Sequence, residues 1–374
     1  MKFNYSDIKA LIGREEIQIS VNNIKAYLKG KNVLVTGAAG SIGSELCRQL
    51  VKLEIKNLIM FDNAETPLHN IRMEFEDSYP NFHFSPIIGD VRQIERLDYV
   101  FRTFHPDIVF HAAAYKHVPL MEENPCESVL VNVIGSRNVA DKCVEYGVSK
   151  MIMISTDKAV NPTNIMGCTK RLAEIYVQSL GLLIEGNERL GKTQFITTRF
   201  GNVLGSTGSV IPRFIEQIKK GGPVTVTDPK ICRYFMTIPE ACRLVLESTV
   251  LIDGTHIFVF DMGKPIKISD LAYKMIAHAG YEVGKDICIQ YTGLRPGEKL
   301  CEEVLATKEN TISIEHERIF VAKVRKYDYY EINRVISSLE KLSRAVEIPE
   351  TVKLMKQTVP EFKSKHSVFE IYDA

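Results

Sequence analysis

The sequence predicts an α/β fold in which a doubly wound parallel sheet carries a smaller C-terminal substrate lobe. Three observations predict it. Short apolar runs bounded by turn residues alternate with helix-period segments, a glycine-spaced turn joins the first run to a helix, and the composition changes after Gly201.

The first strand is 32–36, where Val33, Leu34 and Val35 form a buried apolar run. Thr36-Gly37-Ala38-Ala39-Gly40-Ser41-Ile42-Gly43 then turns the chain into a helix with Ile42, Leu46 and Leu50 on one face. Further strands are predicted at 57–61, 82–88, 108–112, 151–155 and 194–199. From Gly201 to Asp228 the chain is rich in Gly, Pro and Thr. This divides it into an N-terminal extension (1–30), a Rossmann-type dinucleotide-binding domain (31–203) and a substrate lobe (204–374) interleaved with the last sheet strands. Residues 328–346 read as an amphipathic helix with Ile332, Val335, Ile336 and Leu339 inward.

The 374 residues are 45% hydrophobic and 25% charged, the balance of a soluble globular enzyme or binding protein. With 47 basic and 46 acidic residues the net charge is +1, which excludes a field that gathers nucleic acid. The eight cysteines show no C-x-x-C spacing and read as small buried hydrophobes in a reducing cytoplasm. No apolar run approaches the about 20 residues that span a bilayer, so a cytoplasmic protein without membrane insertion is expected, and no metal site is.

Gly37, Gly40 and Gly43 are spaced G-x-x-G-x-x-G rather than G-x-G-x-x-G. Glycine there lets backbone approach a pyrophosphate, and the helix that starts at Ser41 and Ile42 favours its charge, so the turn points to a bound nicotinamide dinucleotide. Asp62, 25 residues beyond Gly37, ends the second strand. There it suits the adenosine ribose and would repel a 2′-phosphate, favouring NAD over NADP, although it equally suits capping the next helix. Asp90 and Val91 follow the third strand where adenine is usually held, and Asp90 also fits a helix cap.

The glycine turn, Asp90-Val91, His111-Ala112-Ala113-Ala114, Asn132 and the Met166-to-Lys170 spacing together resemble the extended short-chain dehydrogenase/reductases. More narrowly, three segments resemble the bacterial UDP-N-acetylglucosamine 4,6-dehydratases: residues 111–119 (HAAAYKHVP), 155–162 (STDKAVNP) and 199–206 (RFGNVLGS). The likeness runs from about Leu11 to Glu303. Membrane-bound members carry transmembrane helices before the Leu11-Ile12-Gly13-Arg14 segment near which this chain starts, so a soluble form is expected.

The resemblance implies a reaction that oxidises C4 of the sugar, expels water across C5 and C6 and reduces C6, regenerating NAD each turnover. It implies Asp157 as the acid at the C6 hydroxyl and Lys158 as the base at C5, which requires Lys158 neutral through burial or a neighbouring cation such as Lys170. An isolated Asp-Lys pair is more often a solvated turn; its place after a central strand favours catalysis. The superfamily's active-site Tyr is replaced by Met166, as in a subset of these dehydratases. Methionine cannot accept a proton, so Thr156 is expected to bind the C4 hydroxyl and pass its proton on. Lys170 is expected at the nicotinamide ribose, Ala112, Ala113, Ala114 and Asn132 beside the cofactor, and Lys116 and His117 at the sugar or diphosphate. Asn202, Arg233 and Arg295 are implied as donors to the diphosphate of a UDP-sugar, with Glu298 accepting from a ribose hydroxyl. A homo-oligomer is expected, as is common in the superfamily. Kept open are a related 5,6-dehydratase or C5-inverting enzyme and a non-catalytic dinucleotide sensor.

Overall fold

The computed structural model describes residues 21–303 and 310–373. Most of the expected extension 1–30, with the Leu11-to-Arg14 segment, lies outside the described residues.

The chain begins with α1 (Val21–Leu28), β1 (Asn32–Thr36), α2 (Ser41–Leu50), β2 (Asn57–Asp62), α3 (Glu65–Ser78), β3 (Phe84–Ile88), α4 (Ile94–Phe104) and β4 (Ile108–His111). It continues through α5 (Val118–Glu123), α6 (Pro125–Ser128), a π-helical turn (Val129–Ile134), α7 (Gly135–Glu145), β5 (Lys150–Thr156), α8 (Ile165–Glu185) and β6 (Gln194–Phe200). The lobe contributes β7 (Asn202–Val203), α9 (Val210–Lys219), β8 (Val224–Val226), β9 (Cys232–Arg233) and β10 (Phe235–Met236). Then come α10 (Ile238–Leu251), β11 (His256–Phe260), β12 (Ile266–Lys267), α11 (Ile268–His278) and β13 (Ile289–Tyr291). The chain closes with β14 (Asn310–Ser313), β15 (Ile319–Lys323), α12 (Tyr329–Arg344) and α13 (Ile348–Thr358).

Nine strands form one sheet in the order β14-β15-β11-β6-β5-β4-β1-β2-β3, parallel except where β15 runs against β11 and β14. The strand order reverses between β1 and β4, whose registered ends are Thr36 and His111. Ligands of such sheets bind at the carboxyl ends beside this switch point. Alternation along β1 explains the two layers: Leu34 faces the cluster built with α7, α8, α12 and α13, while Val33 and Val35 face the one built with α1, α2, α3 and α10.

Two expectations change. Ile332, Ile336 and Leu339 of α12 are buried, with Val335 only half-buried, but they pack with Leu172 and Tyr176 of α8 rather than in the lobe. The lobe's own core joins Phe214 of α9 and Val226 of β8 to Leu271 and Met275 of α11. Nor are all eight cysteines isolated buried thiols: Cys232 and Cys301 form a disulfide and Cys288 is exposed. That pairing is a long-range backbone contact between residues 69 apart, invisible to local spacing. Among the described residues no helix is long and apolar enough to cross a membrane.

Candidate active site

The turn after β1 is a cradle that side chains would fill. Gly37 has φ +68°, and a Cβ there would lie 2.6 Å from the Ala113 amide nitrogen, so the backbone after β4 packs directly on this glycine. A Cβ on Gly43 would enter the Gly37 carbonyl, whereas at Gly40 it would be tight, 3.3 Å from the same oxygen. No side chain caps α2 at Gly40, which leaves the first-turn amides to a ligand. The Ser41 hydroxyl accepts from the Thr207 amide at 3.3 Å and links the cradle to the lobe; Ile42 is half-buried beside it.

Asp62 braces this turn. One carboxylate oxygen accepts from the Ala39 amide at 2.8 Å and the other from the Ala64 amide at 2.9 Å, just before α3. The capping use is therefore present, and each oxygen retains a second acceptor position. Asp90 likewise accepts from the Arg92 amide and guanidinium. Burial raises its pKa, but the Arg92 bonds outweigh it and hold Asp90 below the usual carboxylate range. Val91 is buried, packs on Gly135 of α7 and is fixed by Asn138, which donates to its carbonyl at 3.0 Å.

At the end of β4, His111 lies between the Thr36 hydroxyl at 2.7 Å and the Ser136 hydroxyl at 2.9 Å. Burial, helped by the Lys170 charge, lowers its pKa to about 3, so the imidazole is neutral. The Ala112 amide donates to the Thr36 carbonyl, and Ala113 and Ala114 continue toward solvent. Asn132, within the π-helical turn, is wholly buried: its Oδ1 accepts from the Tyr115 amide at 2.8 Å and its Nδ2 donates to the Tyr115 carbonyl at 3.0 Å. It shapes the loop leading to Lys116 and His117. Both of these are exposed, with pKa values lowered by partial burial, and the His117 ring packs against Gly208 of the lobe.

The carboxyl end of β5 carries the densest chemistry. The Thr156 hydroxyl donates to Asp157 Oδ1 at 2.8 Å, Lys158 Nζ donates to the same oxygen at 2.9 Å, and Lys158 Nζ also donates to Asn202 Oδ1 at 3.2 Å. Asp157 is fully buried, and among the described residues nothing hydrogen-bonds its Oδ2, which lies against Gly201. Burial pulls the Lys158 pKa down, but the carboxylates of Asp157 and Glu302 outweigh burial and the opposing Arg233 charge, leaving Lys158 above its ordinary value. This corrects the expectation of a neutral lysine: the free site holds an ion pair between Lys158 and Asp157. Lys170 donates to the Ile154 carbonyl at 2.7 Å, and burial lowers its own pKa to about 8, against the pull of Glu174.

Helix α8 closes over this cluster because Gly167 lies against the Lys158 carbonyl, too near for a Cβ. Asn164 caps the helix through the Gly167 amide at 2.7 Å. Met166 is buried in the core at the position where a tyrosine would act.

Of the expected nucleotide-end groups, Arg233, Arg295 and Glu298 converge, while Asn202 bonds Lys158. Glu298 stands between two guanidinium groups, 3.4 Å from Arg233 Nη2 and 3.3 Å from Arg295 Nη2; Arg233 is buried and Arg295 exposed. Their turn is pinned to the segment between β5 and α8: the Gly297 carbonyl accepts from Thr163 at 2.9 Å and from Asn164 at 3.0 Å, and Lys299 donates to the Val160 carbonyl at 3.1 Å.

Residues 33–324 match the family described as "Polysaccharide biosynthesis protein". The chain belongs to that family, within the extended short-chain dehydrogenase/reductases. It is 48% identical to the capsular polysaccharide biosynthesis protein CapD of Staphylococcus aureus over 89% of this chain and 55% of the relative, and so spans about half that protein's length. It is 34% identical to a UDP-N-acetylglucosamine 4,6-dehydratase (inverting) of Campylobacter jejuni, over 78% of this chain and 82% of the relative. The X-ray structure of Pen from Bacillus thuringiensis superposes with a TM-score of 0.72 at 33% identity, covering 81% of this chain and 90% of that one.

In this member of the polysaccharide biosynthesis family, several site residues escape local reading. Glu302 is buried with no hydrogen bond to its Oε2 among the described residues, and its Oε1 is 3.9 Å from Arg233 Nη2. Burial raises its pKa, opposed by Lys158 and reinforced by Asp157. Nothing in one sequence separates it from the adjacent Glu303. Beneath the cluster, Glu174 of α8 accepts from Ser155 at 2.6 Å and from Arg199 at 2.9 and 2.6 Å, tying α8 to β5 and β6. A charged residue at an inward helical position was the available signal.

Proposed function

We propose that this chain is an NAD-dependent nucleotide-sugar dehydratase acting on UDP-N-acetylglucosamine. It forms a 4-keto-6-deoxy sugar by an internal redox cycle that feeds surface polysaccharide or glycan synthesis. The observation that carries the proposal is the continuous chain Thr156–Asp157–Lys158–Asn202 at the carboxyl end of β5, on the same sheet edge as the glycine cradle. A dinucleotide sensor has no need of a hydrogen-bonded acid, base and hydroxyl there.

The cradle fits a dinucleotide: Gly37 and Gly43 stand where any side chain would collide, and uncapped amides of α2 face a pyrophosphate. Asp62, Asp90, Val91 and Lys170 border the same site. NAD would supply the two-electron acceptor that oxidises C4 and returns the electrons at C6.

The residues of the chain handle the protons. Thr156 binds the C4 hydroxyl and passes its proton to Asp157 Oδ1, the oxygen to which it already donates. Asp157 then delivers a proton to the departing C6 hydroxyl, so the proton lost at C4 leaves in water. Lys158, once deprotonated, takes the proton from C5, which the C4 ketone has acidified, exchanges its ammonium protons with solvent, and donates one of them to C5 as C6 is reduced. Because nearby carboxylates hold Lys158 protonated, turnover requires pH high enough to free its amine. Arg233 and Arg295 grip the diphosphate, with Glu298 exchanging one guanidinium for a ribose hydroxyl.

Asp157→Asn and Lys158→Ala are expected to retain bound NAD, read by its absorbance after denaturation, and to lose turnover of UDP-N-acetylglucosamine. Ordinary rates in both variants would remove this pair from the mechanism.

A further inference from the structure

Cys232 and Cys301, 69 residues apart in the chain, stand with their Cα atoms 5.0 Å apart. Backbone holds them there: the Cys232 amide donates to the Leu300 carbonyl at 2.8 Å, and the two residues form an isolated parallel bridge. Cys232 is buried, whereas Cys301 is exposed and open to a dissolved thiol. Each cysteine directly precedes a charged residue of the site, Arg233 and Glu302.

With the disulfide closed, Arg233 is engaged at both terminal nitrogens. Its Nη1 donates to the Cys232 carbonyl at 2.7 Å and the Leu300 carbonyl at 3.1 Å, while Nη2 faces Glu298 at 3.4 Å and Glu302 at 3.9 Å. A guanidinium recognises phosphate through paired N–H groups, and here those groups are shared among two carbonyls and two carboxylates that the disulfide ties to one side. We propose that Cys232 and Cys301 form a thiol–disulfide modification site that exchanges with small thiols and disulfides and whose closed form weakens the grip on UDP. The coupling rests on the reading of Arg233 as a UDP-binding residue.

The exchange balances. The Cys301 thiolate attacks one sulfur of a small disulfide, forming a mixed disulfide and releasing one thiolate. The Cys232 thiolate then attacks the Cys301 sulfur, forming the Cys232–Cys301 bond and releasing the second thiolate. The pair thereby loses two electrons and two protons, and the small disulfide becomes two thiols. Cys47, Cys143, Cys168 and Cys242 do not compete, because burial pushes their thiols well up and leaves little thiolate. Exposed Cys288 serves as an internal control with no partner thiol.

The test equilibrates the full chain in graded mixtures of glutathione and glutathione disulfide, traps free thiols by alkylation and maps them by mass spectrometry. UDP binding is measured by calorimetry in the same mixtures. The expectation is that Cys232 and Cys301 leave the alkylated pool together as a linked peptide. Closure should weaken UDP binding about tenfold, equivalent to about 1.4 kcal/mol. Cys301→Ser should bind UDP like the reduced protein in every mixture. Independent alkylation of the two cysteines at all ratios would overturn the site. Closure with unchanged UDP affinity would overturn the coupling alone, and closure with no UDP binding in either form would overturn the proposed function and the coupling with it.

Discussion

Replacing Glu174 with Gln tests the frame on which the candidate site stands. The Glu174 carboxylate and Arg199 guanidinium are both fully buried, joined by two bonds of 2.9 and 2.6 Å, with Arg171 a third donor at 3.2 Å. The amide keeps the shape but removes the negative charge that pairs with Arg199 in a medium that solvates ions poorly. Breaking one partner of such a pair costs about 3–5 kcal/mol, a large part of the roughly 5–15 kcal/mol that holds a typical domain together. Urea unfolding followed by circular dichroism should show the midpoint falling with the slope preserved. The pH dependence gives a second reading. Burial raises the Glu174 pKa, but Arg199 outweighs it and leaves the folded value below the unfolded one. Its stabilisation is therefore present at neutral pH and is lost as pH falls through the depressed folded value. The Gln variant should lack that part of the acid loss. A drop under about 1 kcal/mol, or an acid limb identical to the natural protein's, would refute the argument.

Gly43→Ala, which places a methyl inside the Gly37 carbonyl, should abolish retained NAD while Gly186→Ala, whose methyl meets only ordinary contacts at 3.5 and 3.6 Å, should not affect it; absorbance of the released cofactor distinguishes the two. Glu302→Gln removes a charge that raises the Lys158 pKa, so the pH at which kcat/KM begins to rise should move down. A limb that stays put or moves up would separate Glu302 from Lys158. Arg233→Lys should raise KM for the UDP-sugar by about tenfold with kcat little changed, since an ammonium cannot make the paired contact.

Much of the fold was legible because short apolar runs bounded by turn residues and the glycine turn are local signals. The strands predicted at 32–36, 57–61 and 194–199 match β1, β2 and β6 to within one residue. The proximity of Thr156, Asp157 and Lys158, the triplet proposed for catalysis, was legible too, since they are consecutive at one strand end. Their electrostatics were not. Lys158 is held above its ordinary pKa by Asp157 and, beside it, by Glu302, brought in from 144 residues away (302 − 158), and the pairing of Cys232 with Cys301 comes from the same long-range approach. Likewise, the placement of α12 against α8 instead of the lobe is decided by which apolar face it meets, a choice its own periodicity leaves open.

The most direct test of the central claim incubates the purified chain with UDP-N-acetylglucosamine in deuterated water and follows the sugar by NMR. The account predicts loss of the C6 hydroxyl as a methyl signal appears, a ketone at C4, and one deuterium at C5 with no net consumption of NAD. Unchanged substrate, or its C4 epimer alone, would contradict it.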